Sequence, residues 1–210
     1  MPLEVIYADK AIVVIHKPAG LLAVPGRGPD KQNCASREVQ QLFTDALVVH
    51  RLDMATSGLM VFARGVAMQR TLNAAFAART VQKQYIALVQ GLLPCNPDWQ
   101  TINLPIAADW ERRPLRVIDP DHGKPSLTHW HCVSNDASQQ CSRLELSPVT
   151  GRSHQLRVHL QAIGHPIVGD TLYAPAELAR AERLYLHASW LALPHPDHGR
   201  MIEFCLPPTF

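Results

Sequence analysis

One carboxylate, Asp53, lies in the polar string His50-Arg51-Leu52-Asp53-Met54-Ala55-Thr56-Ser57-Gly58, where its neighbours are rich in hydrogen-bonding groups. An ionised carboxylate in such a setting can attack an electrophilic carbon or take up a proton. The same residue type also closes Asx turns, and Asp53 taken alone reads as the aspartate of a tight connection. The apolar runs on either side, residues 47–49 and 59–63, read as strands, so the string is a connection between buried elements, where reactive groups concentrate. His50 is a poor base beside an arginine, and the hydroxyls of Thr56 and Ser57 suit turn hydrogen bonds, so these three are assigned to shaping the loop.

The cations are the second group with chemical content. Twenty basic residues comprise fifteen Arg and five Lys, and the formal net charge is +2. No Asp or Glu falls between Asp53 and Asp98, a stretch that holds Arg64, Arg70, Arg79 and Lys83. None falls between Glu145 and Asp170, where Arg152, His154, Arg157, His159 and His165 lie. Arginine suits planar anions and bases, and two such stretches can build a basic face for a polyanion; solvated helix surface is the alternative. Arg64, Arg70, Arg79, Lys83 and Arg152 are therefore candidates for phosphate contacts.

Other chemistries lack support. The chain has no phosphate-binding G-x-x-x-x-G-K-[ST], no dinucleotide G-x-G-x-x-G and no H-E-x-x-H. His154 and His159, five residues apart on an expected helix, point about 140° apart around its axis and make a poor shared metal site. Five scattered cysteines without C-x-x-C argue against a disulfide framework or a cysteine zinc site and fit a reducing compartment. No secretory or membrane-spanning run is present, so a cytoplasmic protein is expected. A glycosidase acting through paired carboxylates would need a second acid, and the sequence supplies none near Asp53.

The elements that must position these groups are many short strands and few helices. Strands are expected at residues 5–7, 11–17, 82–90, 101–106, 116–118, 127–133, 142–147, 185–193 and 201–205, besides the two flanking the polar string. Helices are expected at 34–43, at 65–79 with Leu72 and Phe76 buried and its arginines outward, and at 154–163 with Ser153 as N-cap and Gly164 just past the end. This irregular order argues α+β with a mixed, largely antiparallel sheet. No repeat or long linker divides the chain, and one domain over residues 1–210 is expected, with room for two lobes.

The string at Asp53 resembles the signature H-R-L-D-x-x-T-S-G of the RluA family of pseudouridine synthases and matches every fixed position. Other family elements follow in order: His16-Lys17-Pro18-Ala19-Gly20-Leu21, Lys83-Gln84-Tyr85-Ile86-Ala87-Leu88-Val89-Gln90-Gly91, Thr150-Gly151-Arg152-Ser153-His154-Gln155-Leu156-Arg157, His165-Pro166-Ile167-Val168-Gly169-Asp170 and Leu186-His187-Ala188. The resemblance covers nearly the whole chain. The short length, the Val24-Pro25-Gly26 loop and the segment from Asp109-Trp110 to Pro114 are most similar to the branch of the family that acts on both large-subunit rRNA and tRNA.

The resemblance implies the family's α+β catalytic core, with flanking helices and a central active-site cleft, and no N-terminal S4-like RNA-binding module. It implies isomerisation of a uridine in folded RNA, without metal or cofactor. The sequence does not specify an oligomeric state, and a monomer is the default expectation. Asp53 matches the family's catalytic aspartate and Arg157 the arginine that pairs with it, which would hold the carboxylate anionic and fix its rotamer. Tyr85 matches the residue that stacks on the target base, and its phenol could assist proton transfer at C5. Arg51 matches the residue that fills the space left by the flipped base. Residues 99–124 are a further RNA-contacting candidate. A non-catalytic RNA-binding or remodelling module is the competing reading, and it differs in needing no Asp53.

Overall fold

A computed structural model describes residues 3–177, 179 and 181–210. The chain divides into two compact units, Met1–Lys83 with His187–Thr209, and Gln84–Leu186 with Phe210. In the order of the chain the strands and helices are β1 (Glu4–Ala8), β2 (Ile12–Lys17), α1 (Ala35–Leu42), β3 (Ala46–Val48), β4 (Ser57–Arg64), α2 (Gly65–Ala77), β5 (Gln82–Gln90), β6 (Gln100–Asn103), β7 (Ile106–Ala108), β8 (Arg116–Ile118), β9 (Leu127–Asp136), β10 (Cys141–Pro148), α3 (Gln155–Ala162), β11 (Leu186–Pro194) and β12 (Met201–Cys205).

In the first unit, strand order runs β1-β2-β4-β11, with β3 also on β4 and β12 on β11. The pairings are antiparallel except β4 with β11, where His187 lies opposite Ser57 and Ala188 opposite Gly58 in parallel register. β4 is buried along nearly its whole length, as a central strand with neighbours on both sides requires. Its residues Leu59, Val61 and Ala63 pack with Ile12 and Val14 of β2, Leu191 and Leu193 of β11, and Leu72 and Ala75 of α2. The expected amphipathic helix is thus the lid on this core, with Arg70 exposed. It stops at Ala77, and Arg79 takes the left-handed conformation (φ 60°) that usually falls to glycine just past a helix end.

In the second unit, β5-β10-β9-β6 form an antiparallel run. β7 and β8 make a separate hairpin that packs through Ile106, Leu115 and Ile118 on Val158 of α3 and on Tyr173. The expected strand at 101–106 is therefore two strands in two sheets. Pro105 separates them because it has no N–H to continue a ladder, and the carbonyl of Leu104 is taken by His159 Nε2 at 2.9 Å.

α3 begins one residue later than expected. Its N-cap is His154 (φ 58°), not Ser153, and no side chain caps it. Gln155 instead ties down the approach to the helix, its Oε1 accepting from the Arg152 amide (3.0 Å) and from Thr150 Oγ1 (2.7 Å). Gly164 (φ 84°) follows the helix as expected. Among the described residues, no helix is long and apolar enough to cross a membrane.

Candidate active site

The polar string enters the first unit from the end of β3 and leaves as β4. At its entrance, His50 Nε2 accepts the Val61 N–H at 3.0 Å, and the ring stacks on Phe76 with centroids 4.9 Å apart. A ring accepting at Nε2 must be neutral, with its proton on Nδ1. Burial, and secondarily the charge of Lys83, pull the His50 pKa down to about 3. This has a testable consequence. In the unfolded chain His50 takes a proton near pH 6.5, while the folded protein refuses it until about pH 3. Stability should therefore be flat with respect to this group above pH 6.5 and fall as pH drops from there towards 3, by up to about 1.4 kcal/mol per unit. In urea unfolding at pH 7, 6, 5 and 4, His50→Gln, which keeps an acceptor but cannot titrate, should fall less steeply than wild type. Parallel curves for the two proteins would contradict this.

Past His50, Arg51 and Met54 are exposed, Leu52 is buried and Asp53 is half-buried. The turn closes with the Thr56 N–H on the Asp53 carbonyl at 3.1 Å. Its fixed points are main-chain acceptors and a histidine. Lys17, fully buried, points its ammonium at the carbonyls of Pro18 (2.8 Å), Leu21 (2.7 Å) and Met54 (3.1 Å), and the Gly20 amide donates to the same Met54 oxygen at 2.8 Å. Ser57 Oγ lies 2.7 Å from His187 Nδ1, whose Nε2 lies 2.9 Å from the Leu206 carbonyl. A carbonyl can only accept, so with the ring neutral Nε2 carries the proton and Ser57 donates to Nδ1. The Ser57 hydroxyl thus ties the loop to β11, since a strand residue facing a neighbouring strand reaches across to it. Gly58, at φ 118°, brings β4 against β11; a Cβ there would sit 2.3 Å from the Ala188 carbonyl oxygen.

In the second unit, α3 buries Arg157, only 4% exposed, against Asp170, 1% exposed. The guanidinium donates twice, Nε to Oδ2 and Nη2 to Oδ1, each at 2.7 Å. Asp170 Oδ1 also accepts the amides of Leu172 (2.9 Å) and Tyr173 (3.1 Å). The Tyr173 ring lies 5.0 Å from the guanidinium carbon, and its hydroxyl accepts the Arg116 N–H (2.9 Å) while lying 2.7 Å from His154 Nδ1. Gly169 (φ 78°) lets the chain reach Asp170 past the Arg183 carbonyl, which a Cβ would meet at 1.8 Å. Tyr85, buried on β5, lies opposite Leu146 of β10.

Three residues in these networks had no role assigned from sequence. Lys17 lies on the same face of β2 as Val13 and Ile15, all fully buried, so strand alternation could have found it. His187 and Asp170 sit in quoted motifs, but nothing in their spacing names their partners.

The cations divide. Arg70, Arg79 and Arg152 are exposed. Arg64 is held by both oxygens of Asp45 (3.0 and 3.2 Å), by the Asp9 carbonyl (2.9 Å) and by the Phe43 ring, which leaves its guanidinium little to offer a phosphate. The stretch around it is free of acids in sequence but not in space. Lys83 is half-buried, and burial lowers its pKa. His159 is an interior histidine held by Thr128 Oγ1 and the Leu104 carbonyl, each at 2.9 Å. Among the described residues, no group of three or more His, Cys, Asp or Glu is arranged to hold a metal ion.

A mixed, mostly antiparallel sheet with an aspartate loop pinned through its backbone, and a buried arginine held on a second aspartate, accords with what comparison with known proteins shows. The family model for RNA pseudouridylate synthase matches residues 11–162, and the chain belongs to that family. It is an RNA pseudouridine synthase, an isomerase acting on RNA, and the non-catalytic reading is set aside. The chain is similar to the dual-specificity RNA pseudouridine synthase RluA of Yersinia pestis, at 46% identity over 95% of this chain and 96% of the relative. To the enzyme of the same name from Escherichia coli K12 it is 43% identical, over 99% and 94% of the two chains. Among solved structures, human RNA pseudouridylate synthase domain containing 1 matches with a TM-score of 0.82 at 31% identity, covering 99% of this chain and 84% of that one.

Proposed function

We propose that this enzyme is dual in specificity, isomerising a uridine in a large-subunit rRNA hairpin and one in a tRNA anticodon stem-loop. The single observation that carries this reading is similarity at 43–46% identity, over nearly the full length of both chains, to enzymes whose names state dual specificity. In the reaction the N1–C1′ bond of uridine breaks, the base turns, C5 bonds to C1′, the C5 proton leaves and N1 gains one. Atoms and charge balance with no donor or redox partner.

In this proposal Asp53 acts on the sugar or base, and Arg157, held by Asp170, is the arginine of the chemistry. A guanidinium held in two bonds by one carboxylate has a fixed orientation, which fits an arginine that must orient an anion. Tyr85 stacks on the target base, Arg51 occupies the space the base leaves, and Arg70, Arg79, Lys83 and Arg152 meet phosphates. His50, Thr56 and Ser57 shape the loop. The enzyme works as a monomer in the cytoplasm. Unmodified tRNA and a 23S rRNA hairpin, each with uridines tritiated at C5, should both release tritium to water when incubated with the wild-type protein. Release from only one of them would overturn dual specificity while leaving the isomerase intact.

A further inference from the structure

Trp110, at 72%, is the most exposed large apolar side chain among the described residues. It sits in the connection from β7 to β8, and the Arg113 guanidinium carbon lies 3.9 Å from its ring centroid. The connection is internally braced. Asp109 N donates to the Leu115 carbonyl (3.1 Å), Leu115 N to the Arg112 carbonyl (2.9 Å), and the Asp109 carboxylate accepts from the Arg112 amide (3.0 Å) and Nε (2.8 Å). Those contacts with Arg112 lower the Asp109 pKa and neutralise its charge locally. Arg113 has no carboxylate partner among the described residues, so its cation remains available.

A large ring held open to solvent needs a reason, since a lone tryptophan gains nothing there and loses its hydrophobic contribution. The substrate class supplies one. Unpaired RNA bases stack on exposed aromatic rings, and a guanidinium beneath the ring adds cation–π attraction and a charge for the phosphate. The hairpin carrying Trp110 packs on Val158, next in sequence to Arg157, and on Tyr173, whose ring covers Arg157 and whose hydroxyl receives the Arg116 amide. Within this unit the ring is therefore coupled through one packed cluster to the arginine of the proposed site.

We propose that Trp110, backed by Arg113, is a stacking platform for one unpaired base of the RNA substrate, flanking the target uridine. This rests on the reading of the chain as an RNA-modifying enzyme, and deepens it by naming a recognition residue. The test measures RNA affinity and single-turnover tritium release for wild type, Trp110→Phe and Trp110→Ala on stem-loop RNAs, each carrying an abasic site at one loop position. Trp110→Ala should weaken binding about 10- to 100-fold while leaving the rate at saturating RNA within about twofold, and Trp110→Phe should recover most of the affinity. One abasic position should weaken wild type by a similar factor and leave Trp110→Ala unaffected. Unchanged affinity in Trp110→Ala, or losses that add at every abasic position, would overturn the platform. Absence of tritium release by wild type would strike the functional reading instead, with the affinity arm still reporting on the stack.

Discussion

Asp53→Asn protein should bind folded RNA at least as tightly as wild type and release no measurable tritium from it, a loss of at least about 10⁴-fold in rate. Asparagine keeps the size and one acceptor oxygen of the side chain but can neither attack as an anion nor take up a proton. The carbonyls of Met54 and Asp53 and the Ser57 hydroxyl anchor the loop, and the substitution removes none of them. Melting temperature should therefore stay close to wild type, within the usual effect of a polar surface exchange. Binding should hold or tighten, because one negative charge has been removed from beside a polyanion. A variant that retained a tenth of the wild-type rate would remove Asp53 from the chemistry, and one that unfolded would make it a structural turn residue.

The second large effect belongs to Asp170. Asp170→Asn places an amide N–H₂ against one of the two guanidinium N–H donors it now receives and removes the buried counter-charge that Asp170 supplies to Arg157. Breaking one side of a buried pair costs about 3–5 kcal/mol, equivalent in a chain of this size to a fall of roughly 6–20 °C in melting temperature. Activity should fall with it, since Arg157 loses its orientation. Replacing both partners at once, Arg157→Met with Asp170→Leu, should cost less stability than the Arg157→Met and Asp170→Leu losses added together, because the double variant no longer buries half of a charge pair and the amides of Leu172 and Tyr173 lose their acceptor only once. Activity should not return in that double variant. Denaturant unfolding of wild type, Arg157→Met, Asp170→Leu and the double variant decides the matter; a double variant as unstable as the sum of the two single losses would mean the two side chains do not act as a pair.

Much of the fold was legible in the residues. β5 and β12 follow their expected bounds because alternation and the following Gly91 or proline mark them plainly, and β8 does so too. The misplaced start of α3 shows what residue type alone misses: a serine is a good cap, but the left-handed turn at His154 and the bond from the Arg152 amide to Gln155 set the entry to the helix one residue later. At the site, the Asp53 loop was readable as a motif, whereas its support was not. Lys17 reaches Met54 from 37 residues away, and Ser57 reaches His187 from 130 away. Charge patterning misled for the same reason. Arg64 looked unneutralised in its own stretch, yet the Asp45 carboxylate and the Asp9 main-chain carbonyl arrive from elsewhere in the fold.

The Met54 carbonyl receives both the Lys17 ammonium and the Gly20 amide, while the Met54 side chain stands 53% exposed. The loop is thus spelled by its backbone at the very place where the signature H-R-L-D-x-x-T-S-G leaves its first blank. A residue held through its carbonyl alone can change its side chain freely: substitutions at position 54 can retune what the loop presents to solvent without disturbing the backbone that carries Asp53.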